Sequence, residues 1–294
     1  MRFFLLLALA WPAAAQLPPD FNEIRRAGSI TEPFAGPQIR LLVWNIERGQ
    51  RFNAVADALV KHPADLLLLQ EVDLHARRTD GRDIAADLAF RTGHEFVFAP
   101  EFLELGQRIR GADALHGQAT LSSLPIRRPR LMRHQEQHPS WRPSRFLPLW
   151  GVFQPRYGGR VALITEHETA HGLLVAYNLH LESRGPDSIR VSQIQEVLED
   201  ARRYPASATI LIAGDLNTKK ADSPVIDTIR KAGFTTLLGG EVTTKRRQPL
   251  DWIFLRGPWT AADARIHYEI RSSDHFPLTL TLQPAPLPLR SAPR

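Results

Sequence analysis

Short apolar runs alternate with amphipathic stretches along most of the chain. Residues 39–46 (IRLLVWNI) are an apolar run of strand length. Over 52–61, Phe52, Val55, Ala56, Leu59 and Val60 recur at helical spacing, and His62-Pro63 ends the pattern. DLLLLQ at 65–70 reads as a fully buried strand, and 83–92 as a second amphipathic helix stopped by Gly93. In the second half, 118–123, 161–165 and 173–181 read as strands. The clearest helix covers 188–203, with Ile189, Ile194, Val197 and Leu198 apolar and Tyr204-Pro205 closing it. A strand at 209–213, a helix at 224–231 and strands at 250–255 and 276–282 complete the series, and no repeat of fixed period runs through it. Such alternation implies an α/β domain with helices outside the sheet layers.

The ends depart from this pattern. Residues 1–15 combine a basic start (Met1-Arg2), an apolar run from Phe3 to Trp11 and an Ala13-Ala14-Ala15 cleavage site. That is the signature of a secretory signal peptide. The run is too short to span a bilayer, and Pro12 interrupts it. The mature protein is therefore expected to be secreted or periplasmic, soluble, monomeric and without a stable membrane anchor. Residues 16–38 form a lead-in segment with regular structure expected from Ile39. The domain proper is placed at 39–282, and the proline-rich stretch 283–294 reads as a tail.

The insert at 127–160 breaks the alternation differently. It holds eight arginines, one acid (Glu136) and the aromatics Trp141, Phe146, Trp150, Phe153 and Tyr157. Basic residues interleaved with aromatics can grip a phosphate backbone and stack on bases. Alternatively the segment is a hairpin whose rings complete the core and whose arginines are solvated.

Composition narrows the chemistry. The 294 residues contain no cysteine, which excludes disulfide scaffolds, thiolate zinc sites, iron–sulfur clusters and cysteine nucleophiles. The net charge of +6 favours anionic partners without choosing among nucleic acid, lipid headgroups and phosphorylated substrates.

Polar residues gather where the predicted strands end, the place where α/β folds collect chemistry. Asn45 and Glu47 follow the first strand, Glu71 the second, and Asn178 and His180 lie on the strand at 173–181. Gly214-Asp215-Leu216-Asn217 follows 209–213, Asp251 opens DWIFL, and Ser273-Asp274-His275 precedes the last strand. A single such residue is usually a helix cap or turn; six placements of Asn, Asp, Glu or His are too many for capping alone. The set suffices for phosphoester hydrolysis. Hard oxygen ligands without cysteine select Mg²⁺, Mn²⁺ or Ca²⁺, a carboxylate can activate water, and imidazoles can donate to the phosphate. No G-x-S-x-G elbow, P-loop or G-x-G-x-x-G turn is present.

The ordered series WNIE (44–47), QE (70–71), GQATLSS (117–123), NLHL (178–181), GDLN (214–217), LDWIF (250–254) and SDH (273–275) resembles the endonuclease/exonuclease/phosphatase superfamily. The resemblance implies a four-layer α/β/β/α sandwich, two packed mixed β-sheets flanked by helices, with the site at one edge. It implies Glu71 as main metal ligand, with Asn45 and Asp274 completing the surroundings. Asp215 would orient the attacking water and Asn217 would help fix water and phosphate. His275, paired with Asp251, would contact the scissile phosphate, with His180 on the opposite side. Asn178 and Arg190 are assigned to substrate binding. Arg190 and Gln193 match an R-x-x-Q pattern; the alternative for that pair is the exposed face of a helix. Gln118 stands where many members carry Asn, with His116 two residues before it, and Glu47 lies where relatives vary.

Members share the site and differ in their loops, so the shared residues do not name the substrate. Charge and the arginine–aromatic insert favour a secreted nuclease with nucleic acid as substrate. The rival is a secreted sphingomyelin- or phosphoinositide-type lipid phosphodiesterase or phosphatase, making transient lipid contact through Trp141, Phe146, Leu147, Leu149 and Trp150. A non-catalytic binding module would be expected to lack Glu71, Asp215 or His275.

Overall fold

The computed structural model describes residues 21–32, 34–109, 111–142 and 154–285. The expected leader at 1–15, the tail beyond Ala285, and Arg145, Phe146, Leu147, Leu149, Trp150 and Phe153 of the insert lie outside the described residues.

In chain order the elements are β1 (Arg25–Ala27), β2 (Ile39–Arg48), α1 (Phe52–Lys61), β3 (Leu66–Leu74), α2 (Ile84–Thr92), β4 (Glu95–Glu104), β5 (Leu115–Ser122), β6 (Arg127–Arg133), β7 (Arg156–Gly158), β8 (Val161–Thr169), β9 (Gly172–His180), α3 (Asp187–Ala201), β10 (Thr209–Asp215), α4 (Pro224–Lys231), β11 (Thr235–Leu238), β12 (Asp251–Arg256), β13 (Trp259–Ile266) and β14 (Leu278–Pro284). Eight strands form one sheet, ordered β1-β4-β5-β3-β2-β14-β13 with β7 beside β4; six form the other, ordered β11-β12-β10-β9-β8-β6. Both sheets are mixed: β2–β3 and β9–β10 are parallel pairs, and their other pairings are antiparallel.

Side-chain alternation explains the layering. Along β2, Ile39, Leu41 and Val43 face the opposite sheet, where Leu174 and Ala176 of β9 and Leu211 and Ala213 of β10 meet them. The intervening Leu42, Trp44 and Ile46 turn outward onto Val55, Ala56 and Leu59 of α1 and Ile84, Ala85 and Leu88 of α2. On the other side, Val175, Tyr177, Ile210 and Ile212 pack under Ile194 and Val197 of α3 and Ile226 and Ile229 of α4. A strand buried on both faces reads as a continuous apolar run rather than an alternation, which is why LLVWNI and DLLLLQ stand out. The helices take their bounds from local chemistry. The Asp83 carboxylate accepts from Ala86 N–H and Gly93 ends α2 in a left-handed conformation, while Ser223 caps α4 with Pro224 in its first turn.

The result is the expected α/β/β/α sandwich, with some strands the apolar pattern does not show. β4 was hidden by Pro100 and Glu101; the proline pairs with Gly117 and borders a register shift against β5, the kind of irregularity where a strand tolerates proline. β13 is an edge strand with few buried positions. The insert supplies β6 and β7 instead of one hairpin, pairing them with β8 and β4 respectively. Regular structure also begins before Ile39, since β1 pairs with β4 and Phe21 is buried. Among the described residues no helix is long and apolar enough to cross a membrane.

Candidate active site

Both parallel pairs deliver their carboxyl ends to one edge of the sandwich. Asp215, the last residue of β10, is paired in register with His180 on β9 and with Asp251 at the start of β12. Three chemistry-bearing residues therefore stand side by side across one ladder row. His275 completes the group. Its Nδ1 lies 2.8 and 3.1 Å from the two Asp251 carboxylate oxygens, and its Nε2 lies 3.7 Å from Asp215 Oδ2. His180 Nε2 approaches the same oxygen to 3.5 Å, and Asn45 Nδ2 donates to it at 3.1 Å. The other Asp215 oxygen accepts from Asn217 N–H at 2.9 Å, while Asn217 Nδ2 donates to Leu181 C=O.

Backbone irregularities aim these groups. Register against β2 and β5 shifts between Leu69 and Val72, and Glu71 within the shift has φ +50°. Such a bulge turns one side chain out of the strand's alternation. Gln70 points into the protein while Glu71 opens onto the cleft. Asn217 also has positive φ, at +49°, a conformation that marks functional segments when the surroundings enforce it. Gly214 lets β10 lie close to β9, since a Cβ there would fall 2.0 Å from Leu179 C=O. His275 is held by its backbone: its N–H donates to Ser273 Oγ, its C=O accepts from Trp44 Nε1, and Ser273 Oγ itself donates to Asn45 C=O.

Electrostatics divide the roles. Burial, reinforced by Asp251, pushes the Asp215 carboxyl up to about 7 against the pull of His275 and the bonds from Asn217 and Asn45. Burial disfavours charge on His275, but Asp251 and Asp215 overcome it and raise the imidazole to about 10. His180 is pushed the other way, well below its usual value, by burial and by the positive charge of Arg160. Burial alone would raise Glu71, yet His116, Arg48, His275 and Arg160 around it hold it down at about 2. Because burial keeps His116 itself neutral, the standing charges there are Arg48, Arg160 and His275. The edge thus presents a fixed carboxylate, a carboxyl poised near neutrality, an imidazolium and a neutral imidazole.

Other expected residues lie elsewhere. Asn178 does not face the cleft: it is wholly buried between the sheets, donating to the Leu69 and Ala119 carbonyls and accepting from Gln70 at 2.7 Å. Its amide ties β9 to β3 and β5, which is a structural duty. Arg190 and Gln193 are not an exposed helix face. Both are buried and grip the segment after β9: Arg190 donates to Glu182 C=O, and the Gln193 carbonyl accepts from Glu182 N–H. Arg190 also reaches the cleft wall while paired with Asp187. Asp274 borders the part of the cleft with Lys219 and Arg246, and no contact joins it to Glu71 among the described residues. Gln118 is buried, donating to Glu101 and Val161 C=O, while Glu47 N–H donates to Asn45 Oδ1.

Several site residues were not read from the sequence. Glu101 is fully buried, paired with Arg160 at 3.0 Å and 3.8 Å from His180 Nδ1. Arg48, Arg77, Arg78 and Arg184 join Arg156 and Arg160 along the cleft. An acid inside the apolar stretch FVFAPEFLE was the one available signal for Glu101, since a buried charge requires a partner. The insert does not act as one patch. Arg156 and Arg160 reach the cleft, whereas Arg130 pairs with Asp200 and Arg133 caps the carbonyls of Pro100, Glu101 and Gly159.

The donors fit a hard divalent cation. Glu71 is an ionised carboxylate open to the cleft, and its ion-pair partner Arg48 stands 3.7 Å away, beyond hydrogen-bond distance. Asn45 pairs in register with Gln70, the residue before Glu71, and its side-chain carbonyl oxygen accepts one bond, from Glu47 N–H, which leaves a second lone pair for a ligand. Ligand atoms of Asp215, Asp251 and His275 also lie within 4.8 Å of one another. A cation among those three would displace the Asp251–His275 hydrogen bond and meet an imidazolium, so Glu71 and Asn45 are the better holders.

The architecture is shared with solved structures of low sequence identity. The human Nocturnin catalytic domain with bound sulfate anion superposes with a TM-score of 0.64 at 16% identity, covering 88% of this chain and 98% of that one. An endonuclease/exonuclease/phosphatase from Beutenbergia cavernae DSM 12333 gives 0.63 at 16%, covering 86% and 73%. Truncated Caenorhabditis elegans TDP2 gives 0.57 at 19%, covering 85% and 99%. No curated protein matches the chain. The model of the Endonuclease/Exonuclease/phosphatase family matches residues 42–275, a span running from β2 through His275 and so including Glu71, His180, Asp215 and Asp251, and on that match the chain belongs to this family.

Proposed function

We propose that the protein is an exported, divalent-metal-dependent phosphodiesterase that cleaves nucleic acid by direct attack of water. The family acts on phosphoester bonds with divalent cations. One observation carries it. Two cavities of about 780 and 710 Å³ meet at Ser183, Asn217, Leu250 and His275. Arg77, Arg156 and Arg160 flank this junction on one side, and Lys219, Lys220 and Arg246 on the other. A cleft with cations on both sides of its reactive centre suits a chain of phosphates passing through it.

Within that cleft Asp215 accepts a proton from the attacking water, which its elevated pKa permits near neutral pH. Asn45 and Asn217 N–H hold its carboxylate in place. The His275 imidazolium, kept charged and oriented by Asp251, donates to the phosphoryl group, and neutral His180 does so from the far side of Asp215. Glu71 and Asn45 would hold a cation such as Mg²⁺ or Mn²⁺, which when bound neutralises charge on the phosphoryl and leaving oxygens. The lipid reading finds less support. Trp141 is only 4% exposed, with its indole N–H spent on Glu182 at 2.7 Å, so it does not offer itself to a membrane.

The test is incubation of residues 16–294 with supercoiled plasmid in Mg²⁺, Mn²⁺ or EDTA, beside an identically prepared Asp215→Ala protein. Metal-dependent nicking that falls by about a hundredfold or more in the variant is expected. Intact plasmid under every condition, with hydrolysis of sphingomyelin or phosphoinositide vesicles instead, would replace the nuclease by the lipid enzyme.

A further inference from the structure

Six arginines border the Glu71 half of the cleft, and four are matched by carboxylates. Arg48 faces Glu71, Arg78 grips Asp73 and Glu104, Arg156 shares Glu104, and Arg160 pairs with Glu101. Arg77 and Arg184 have no ion pair among the described residues, and both are exposed. They are nonetheless positioned. Arg77 Nη2 donates to Gly106 C=O at 3.2 Å. Arg184 Nη1 donates to Ser140 Oγ at 3.2 Å, and its guanidinium lies 4.5 Å from the centre of the Trp141 ring. Trp141 is itself fixed by the bond to Glu182 Oε2, and the other Glu182 oxygen accepts from Arg184 N–H. Arg156 lies against the same indole, at 5.9 Å. A guanidinium stacked on an anchored aromatic ring loses little freedom on binding, and its fork matches two phosphate oxygens.

From this surplus we infer that Arg77 and Arg184 form a subsite for a second phosphate group of the substrate, on the Trp141 side of the scissile phosphate. A substrate with one phosphodiester would leave both cations without a counter-ion. The proposal rests on the phosphodiesterase reading for the position of the scissile phosphate, but its test does not depend on turnover. Two sources share the chemistry: the next phosphate along a nucleic-acid strand, and the terminal phosphate of a small polyphosphorylated molecule.

Isothermal titration of the protein with thymidine 5′-phosphate, thymidine 3′,5′-bisphosphate and thymidine 5′-diphosphate separates them. At least one two-phosphate ligand is expected to bind about tenfold or more tightly than the monophosphate, as one added charge-assisted contact provides. Preference for the 3′,5′-bisphosphate assigns the subsite to a strand, and preference for the diphosphate assigns it to a small molecule. In the Arg77→Ala/Arg184→Ala protein the preference collapses toward one. The ratio is taken within one preparation, and the single variants Arg77→Gln and Arg184→Gln are read in the same way if the double variant does not fold. Equal affinity for all three ligands, or a preference that survives in the variants, overturns the subsite. Turnover of bis-p-nitrophenyl phosphate, measured alongside, tests the phosphodiesterase reading separately.

Discussion

At the scale of single residues, the Asp251–His275 pair makes the sharpest prediction. The imidazole is raised because a carboxylate accepts from its Nδ1–H at 2.8 Å. Asp251→Asn keeps the shape and removes the charge, so the imidazolium is lost at a lower pH and the ring is freer to reorient. Turnover is expected to fall by about a hundredfold at pH 8, and nuclear magnetic resonance titration should show the His275 pKa moving down. An unchanged His275 pKa would mean that Asp251 is not the source of the shift.

A second residue links charge to stability away from the site. His167 on β8 is fully buried, bonded through Nε2 to Thr165 Oγ1, and burial pushes its imidazole down to about 4. The folded protein therefore favours the neutral ring. Its stabilising contribution is complete above the unfolded-state value of 6.5 and is lost as pH falls from there toward 4. Between pH 7 and 5 this group alone costs about 2 kcal/mol. Urea unfolding at the two pH values should show a smaller decrease for His167→Gln than for the wild-type protein. An equal decrease would place the acid sensitivity on other buried imidazoles.

At the scale of elements, the site depends on how closely β9 and β10 approach. Gly214 has φ +137°, and an added Cβ would meet Leu179 C=O at 2.0 Å. Neither the backbone conformation nor the space tolerates a side chain. Gly214→Ala is expected to cost about 3 kcal/mol or more, measured as a lowered denaturation midpoint, and to shift Asp215, its chain neighbour. The same reasoning applies to the bulge at Gln70-Glu71. The QE pair was legible as a strand end, but the register shift that sends Gln70 inward to Asn178 and Glu71 outward depends on β2 and β5 together.

For the whole molecule, the cations on both sides of the junction act on any polyanion before chemistry begins. Each phosphate contact adds a negative slope to the dependence of affinity on salt, so several contacts should weaken plasmid binding by at least about tenfold between 50 and 200 mM salt. Bis-p-nitrophenyl phosphate, which reaches only the central contacts, should respond far less. Comparison of KM for the two substrates across that range checks this, and a flat response for plasmid would remove the extended cleft from substrate binding.

The amino-acid sequence by itself determined the α/β class, the two-sided burial of the central strands, most helix bounds and the run of polar residues at strand ends. Each of these is local: a hydrophobic period, a cap or a short motif reports the environment of its own few residues. Only the tertiary structure decided which of those residues meet. Asn178 and His180 are two positions apart on one strand and share its inner face, yet Asn178 ties the opposite sheet while His180, one step nearer the edge, stands beside Asp215. Arg190 and Gln193 have helix-surface spacing, but the chain after β9 folds over them and takes their hydrogen bonds. The arginines of the insert are alike in sequence, and pairing with β4 or β8 alone separates Arg156 at the cleft from Arg130 at Asp200. Strand register and charge pairing are set by partners far away in the chain, and no local window contains both halves of such a contact.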